Sequence, residues 1–339
     1  MPKISLCIGS AHPDYGMIFY KEKHIFEYLM ESLRKQTFKD FEVVIADVLY
    51  EQRKDYFIKH PEDFVVKHVP VKPNIWIDQK YVAISTTKNT SLLYSEGEII
   101  SYIGDCVALP SDYLQTIAEK VKLGYCIEST YANCFGEDDT KTQYDLRTPG
   151  IVPATYGYVS LHIEDALQLN GYNEMFDGSK GLEDCDFGRR MYTKGMVIEL
   201  INSCPARHQV HSDFLDDLGV PRLKCPRLME MLNCSAERIG IYKANSAPYS
   251  EQQMEKLFEC SEIVKGHRCE YVCDENGVGF ECLSGVLPDG TAKFYNVEKI
   301  KYMYNHPSLI FDLREQRKNI PKALAELEEL CRDVKEKYK

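Results

Sequence analysis

The sequence predicts an α/β protein, and three observations carry that prediction. Short apolar runs alternate with segments of helical spacing through the first hundred residues. The apolar runs are continuous rather than alternating, as expected of strands covered on both faces. Two of the runs lead into an acidic residue, Asp47 and Asp105. Such open sheets bind ligands off the carboxyl ends of their strands, where both acids fall.

The elements follow in order. Ile4 to Ile8 (ISLCI) reads as a buried strand, followed by a polar loop from Gly9 to Tyr15. Glu22 to Lys35 has helical spacing, with Ile25, Phe26, Leu29 and Leu33 recurring at three and four. Phe41 to Ala46 is a second strand with Asp47 at its end, and Val65 to Val69 a third. Ile84 to Tyr94 reads as a helix, and Glu98 to Ile103 as a fourth strand before Asp105. The character changes near Asp213. Residues Arg268 to Val297 read as a β-meander, with Asn276-Gly277 and Pro288-Asp289-Gly290 as turns. Ile320 to Lys339 is an amphipathic helix with Pro321 in its first turn. These shifts predict a nucleotide-binding domain over residues 1–215. A smaller α+β extension, with meander and terminal helix, is predicted over 216–339.

Composition narrows the function. With 44% apolar and 27% charged residues among 339, the chain is globular in character. A formal net charge of −11 argues against a nucleic-acid coat, which needs a basic surface. No run approaches the roughly 20 apolar residues that cross a bilayer, so no transmembrane segment is expected. Met1 to Ile8 runs straight into a strand pattern, so a cytoplasmic protein without a signal peptide is expected, its 13 cysteines thiols. Cys260, Cys269, Cys273 and Cys282, with His267 among them, read either as a zinc site or as buried thiols of a small β-module.

Specific motifs go further. Ser32-Leu33-Arg34-Lys35-Gln36-Thr37, then Phe38-Lys39-Asp40-Phe41-Glu42 and a strand ending in Asp47, resemble the start of family-2 glycosyltransferases of the GT-A fold. Glu96-Gly97-Glu98, a strand, Asp105 and Pro110 resemble the segment carrying that family's DxD-type motif. Leu169 to Arg190, with an N-G-Y-x-E turn, a Gly-rich loop and Glu183-Asp184, resembles the acceptor-side motif of galactosyltransferase-like members. The resemblance covers roughly the first 213 residues. It implies a GT-A (Rossmann-like) nucleotide-sugar-binding domain and a hexosyltransferase, with a nucleotide-sugar donor, UDP-linked by expectation, and a glycan or glycolipid acceptor.

The same resemblance distributes the roles. A divalent cation, Mn²⁺ or Mg²⁺, would neutralise the diphosphate leaving group. Asp105 would bind it, with His208 and His211 as further ligands; the other reading of two histidines three apart is a pair of surface or capping residues. Gly104 stands where the family carries a further acid, so the motif is degenerate. Asp47 would touch the nucleotide, with Val48 where a second acid is usual, and Gly9 and Ser10 open the loop expected to lie over it. Asp184 would be the general base and Glu183 would hold an acceptor hydroxyl; the other reading is capping of the following helix, Cys185 to Thr193. One base opposite the leaving group implies inversion at the anomeric carbon. Arg189 and Arg190 are adjacent, so at most one is expected to meet phosphate. Two other functions fit the same residues: glycosylation of modified bases in nucleic acid, which the charge disfavours, and an inactive nucleotide-sugar-binding protein.

Overall fold

The computed structural model describes residues 2–10, 19–20, 23–74, 83–134, 143–145, 158–177, 182–209 and 310–337, with a few single residues between 233 and 252. The chain folds as two compact units. Unit 1 comprises residues 1–72, 86–172 and 187–219, and unit 2 comprises 73–85, 173–186 and 220–339. The last segment of unit 2 starts close to the domain limit expected near residue 215. Its two earlier segments lie within the stretch expected to be one domain. The expected β-meander and the cysteine cluster at 260–282 fall outside the described residues.

Unit 1 is built on a nine-stranded mixed sheet. Strand β1 (Ile4–Ser10) has every residue buried except Gly9. Two short strands, β2 (Phe19–Tyr20) and β3 (Lys23–His24), pair only with each other. Next come β4 (Phe41–Asp47), wholly buried, β5 (Val65–Pro70) and β6 (Ile99–Ile103), also wholly buried. The remaining strands are β7 (Val107–Ala108), β8 (Tyr125–Cys134), β9 (Gln143–Asp145), β10 (Val159–His162) and β11 (Val197–Gln209). The path runs β5-β4-β1-β6-β10-β8-β11-β7, with β9 paired to β8.

The first four strands on that path are mutually parallel. Taken in chain order they stand 3-2-1-4, the first half of a doubly wound sheet. The order reverses between β1 and β6, the place at whose carboxyl ends such sheets take their ligands. Beyond β6 the sheet turns antiparallel through β10, and β11 then runs parallel to β8 with a register shift between Ile201 and Ala206. Pro205 lies in that irregular stretch, where a missing N–H removes no ladder bond. Ile4, Leu6 and Ile8 form one core with Leu29 and Leu33 of the helix Ile25–Arg34 and with Val43 and Ile45 of β4.

The motif residues read from the sequence turn out to be locks on this fold. The Gln36 side chain donates to Pro110 O (2.7 Å) and accepts from the Leu114 N–H (3.0 Å), tying the end of the first helix to the segment after β7. Ser5 Oγ and the Glu96 N–H both donate to Glu42 Oε1, at 2.6 and 2.7 Å, and Lys67 pairs with Glu42 Oε2 at 2.7 Å. Gly97 must be glycine, because a Cβ there would lie 2.5 Å from the Ser5 backbone nitrogen. The helix Ile84–Tyr94 is mostly polar yet buried, and the Thr90 and Ser91 hydroxyls bond back to its own carbonyls, at Thr86 and Lys88, each at 2.7 Å. The N-G turn at Asn170 and Gly171 (φ 56° and 64°) closes the helix Ile163–Gln168, the Gly171 N–H reaching back to Ala166 O.

Candidate active site

The carboxyl edge of the parallel strands in unit 1 gathers the donor-side residues expected from the sequence. Gly9 and Ser10 end β1, Asp47 ends β4, and Asp105 follows β6 by two residues. Ser10 and Asp47 are register partners. Across the switch point, the buried Ser10 hydroxyl donates to Asp105 Oδ2 at 2.9 Å. An oxygen-rich pair therefore occupies the crevice where doubly wound sheets take their ligands. Gly9 is required on packing grounds, since a Cβ would lie 2.3 Å from Thr87 Oγ1 and 2.8 Å from Thr87 Cβ. Gly104 differs: the nearest atom to a Cβ there is the Tyr158 hydroxyl at 3.5 Å, so a Cβ has room.

Asp47 is more enclosed than a residue open to a nucleotide. Its side chain is 0% exposed. Oδ1 accepts from the Leu49 N–H (2.8 Å) and from Arg53 (3.3 Å), and Oδ2 lies 3.0 Å from His68 Nε2. Tyr50 and Phe57 pack edge-on against the His68 ring. The sequence reading missed Arg53 and His68. Arg53 sits six residues beyond Asp47 in a four-residue helix too short to show periodicity, and His68 lies on the neighbouring strand.

Of the two expected histidine ligands, His211 lies outside the described residues and His208 is described by its backbone. That backbone pairs with Val107 in the antiparallel β11–β7 ladder, two residues beyond Asp105. Among the described residues, no group of three or more His, Cys, Asp or Glu side chains could hold a metal ion. Cys106, next to Asp105, has its thiol pushed well above the usual cysteine range, first by desolvation and then by the Asp105 charge.

Glu183 and Asp184 open the helix Glu183–Thr193, two residues earlier than the sequence suggested. Glu183 is buried and Asp184 is half-buried. Asp184 Oδ1 accepts from the Cys185 N–H at 2.7 Å. Leu182, just before the pair, holds φ at 68°, a left-handed conformation that costs a non-glycine residue about 1–2 kcal/mol. Hydrogen bonds of unit 2 tie Leu182 and the residues that follow it. The Asp186 N–H donates to Leu182 O at 3.0 Å, and the Asp186 carboxylate accepts from the Tyr242 hydroxyl (2.6 Å) and Asn233 (3.2 Å). These partners lie 47 and 56 residues away in sequence, and no local pattern announces them. Arg190 is buried and donates to Leu169 O (2.6 Å) and Gly171 O (2.9 Å), so it closes a helix end rather than meeting phosphate.

No protein-family model and no curated protein matches the chain. Among solved structures it is similar to S. aureus TarS 1-349, at 16% identity over 76% of this chain and 70% of that chain, with a TM-score of 0.46. The same protein in complex with UDP-GlcNAc gives 16% identity, 76% and 71% coverage, and a TM-score of 0.49. GalNAc-T7 with UDP, GalNAc and Mn²⁺ gives 11% identity over 62% of this chain and 44% of that chain, with a TM-score of 0.44. At such values, function has to be read from the chain's own topology and residues. Among the described residues, no helix is long and apolar enough to cross a membrane.

Proposed function

We propose that this chain is an inverting glycosyltransferase of the GT-A type, moving a hexose from a nucleotide-sugar donor, UDP-linked first among the candidates, to a hydroxyl of a glycan or glycolipid. One observation carries the reading: the Ser10–Asp105 hydrogen bond at the point where the parallel strand order reverses. In this reading Gly9, Ser10 and Asp47 line the nucleotide side. Asp47 acts there as an anchored strand end that fixes Arg53 and His68. Asp105 offers carboxylate oxygen to a divalent cation, with His208 and His211 as further ligands. Mn²⁺ or Mg²⁺ would supply charge neutralisation at the diphosphate; Mn²⁺ suits a set that includes imidazole.

Asp184 is the general base and Glu183 holds the acceptor. The acceptor oxygen forms a bond to the anomeric carbon while the bond from that carbon to the diphosphate oxygen breaks. The hydroxyl proton passes to the Asp184 carboxylate, and the nucleoside diphosphate leaves with the bonding pair. A single displacement of this kind inverts the anomeric centre.

A thermal-shift screen of nucleotide sugars with and without Mn²⁺ tests the binding half, since a ligand of the folded state raises Tm by mass action. Release of nucleoside diphosphate tests the chemistry. If the wild-type chain cleaves no nucleotide sugar in the presence of Mn²⁺, or if Asp184→Asn cleaves as fast as wild type, the reading fails.

A further inference from the structure

Within unit 2, residues from the last third of the chain hold the segment Asn173–Asp186 at its two ends. Asn173 Nδ2 donates to the Tyr242 hydroxyl at 2.9 Å, and that hydroxyl donates to Asp186 Oδ1 at 2.6 Å. One phenol therefore bridges the first and last residues of the segment. Asn233 adds a second donor to the same Asp186 oxygen. Asn245 Oδ1 accepts the Glu174 N–H at 2.9 Å, while the Asn245 carbonyl accepts the Phe311 N–H at 2.6 Å. Asn173, Asp186, Asn233 and Asn245 are all buried. Between the two ends lies the left-handed Leu182, and directly after it the Glu183–Asp184 pair.

The geometry points to Tyr242 as a positioning residue for the acceptor-side acids, and gives the C-terminal third a role in the chemistry. This rests on the reading of Asp184 as base. The physical reason is local. A leucine in the left-handed region persists only where its surroundings over-determine it. The Asp186 N–H holds the Leu182 carbonyl, and the Asp186 carboxylate is held in turn by Tyr242. Removing the phenol oxygen takes the shorter hydrogen bond from Asp186 Oδ1, leaves the longer one from Asn233, and uncouples Asp186 from Asn173. The first helical turn can then relax, and Asp184 shifts with it. Misplacement of a reacting group by about 1 Å costs up to roughly 100-fold in rate.

The test uses the full chain with Mn²⁺ and whichever UDP-hexose wild type cleaves, water serving as acceptor. Rates, donor KM and Tm are compared for wild type, Tyr242→Phe, Asp184→Asn and the double variant. The expected result is a kcat lower by about 10- to 100-fold for Tyr242→Phe, with donor KM within about twofold and no further loss when the change is added to Asp184→Asn, as for residues that act as a unit. A wild-type kcat in Tyr242→Phe overturns the inference, as does an equal loss in both backgrounds, which would mark a merely structural role. Asn233→Ala, which takes away the weaker donor to the same oxygen, is expected to show a smaller drop of the same kind. It decides the matter if Tyr242→Phe does not fold, a wild-type rate counting against the inference. Full activity in Asp184→Asn instead removes the base assignment underneath, which separates that failure from the failure of Tyr242.

Discussion

Asn89 binds the backbone of Tyr172 at both polar atoms: its Oδ1 accepts the Tyr172 N–H at 2.7 Å, and its Nδ2 donates to Tyr172 O at 2.8 Å. The asparagine is wholly buried and imitates a strand partner for one residue. The Tyr172 ring stacks on Phe187 at 4.3 Å, and Lys88 sits 4.1 Å over its centroid. Asn89→Ala leaves two buried backbone groups without their partner, at about 1–3 kcal/mol each. A loss of roughly 2–4 kcal/mol in denaturant unfolding, with an unchanged m value, is the expected outcome. A loss under 0.5 kcal/mol would contradict it.

The Glu42 carboxyl sets an acid limit. Burial alone would raise its pKa, yet hydrogen bonds from Lys67, Ser5 and the Glu96 N–H outweigh that and hold it below the usual carboxylate range. The folded value is thus the lower one. Its contribution to stability is complete above the unfolded-state value of about 4.3 and is lost as pH falls through the folded value. Glu42→Gln should flatten the decline of Tm below about pH 4.3 and lower Tm at pH 7. An unchanged acid limb would refute the assignment.

Leu182 reverses an ordinary ranking. At a normal φ, replacing leucine by glycine destabilises more than replacing it by isoleucine. At φ 68° glycine relieves about 1–2 kcal/mol of strain, whereas a β-branched residue adds to it. Leu182→Gly is expected to be at least as stable as Leu182→Ile in thermal unfolding, and the opposite order would show that the strain is absent.

Three glycines separate packing from chemistry. Gly9→Ala and Gly97→Ala drive a Cβ to 2.3 and 2.5 Å from existing atoms, and each should cost about 1–3 kcal/mol or more. The Cβ of Gly104→Asp meets only ordinary contacts, and the variant should stay within about 1 kcal/mol of wild type. On the proposed role of Asp105 as a metal ligand it adds a second carboxylate, so Mn²⁺ titrated calorimetrically should bind more tightly, by about tenfold for one added charged ligand worth roughly 1.4 kcal/mol.

The parallel half of the sheet was legible because β1, β4 and β6 are largely apolar runs, and every strand predicted there formed within two residues. The helix Ile84–Tyr94 was also found, although it is held by hydroxyls and Asn89 more than by an apolar stripe. What the sequence did not disclose was long-range. Gln36 and Glu42 were read as marks of a family, yet their partners Pro110, Leu114 and Lys67 show them to be clamps. Asp47 was expected at a strand end and is there, but Arg53 and His68 enclose it. Tyr242 and Asn233 carry no periodic or capping signal, because the partners Asp186 and Asn173 lie far away in sequence.

The order in which segments meet has a consequence for biogenesis. Residues 73–85 and 173–186 share a unit with residues 220–339, so in a growing chain both earlier segments leave the ribosome before their partners exist. At synthesis rates of about 5–20 residues per second, Asn173 waits several seconds for Tyr242. The sheet of unit 1 can assemble meanwhile, whereas Glu183 and Asp184 acquire their setting only late. A nascent chain stalled near residue 215 would therefore carry Glu183 and Asp184 before residues 220–339 of their unit exist, a partly folded chain open to chaperones and proteases.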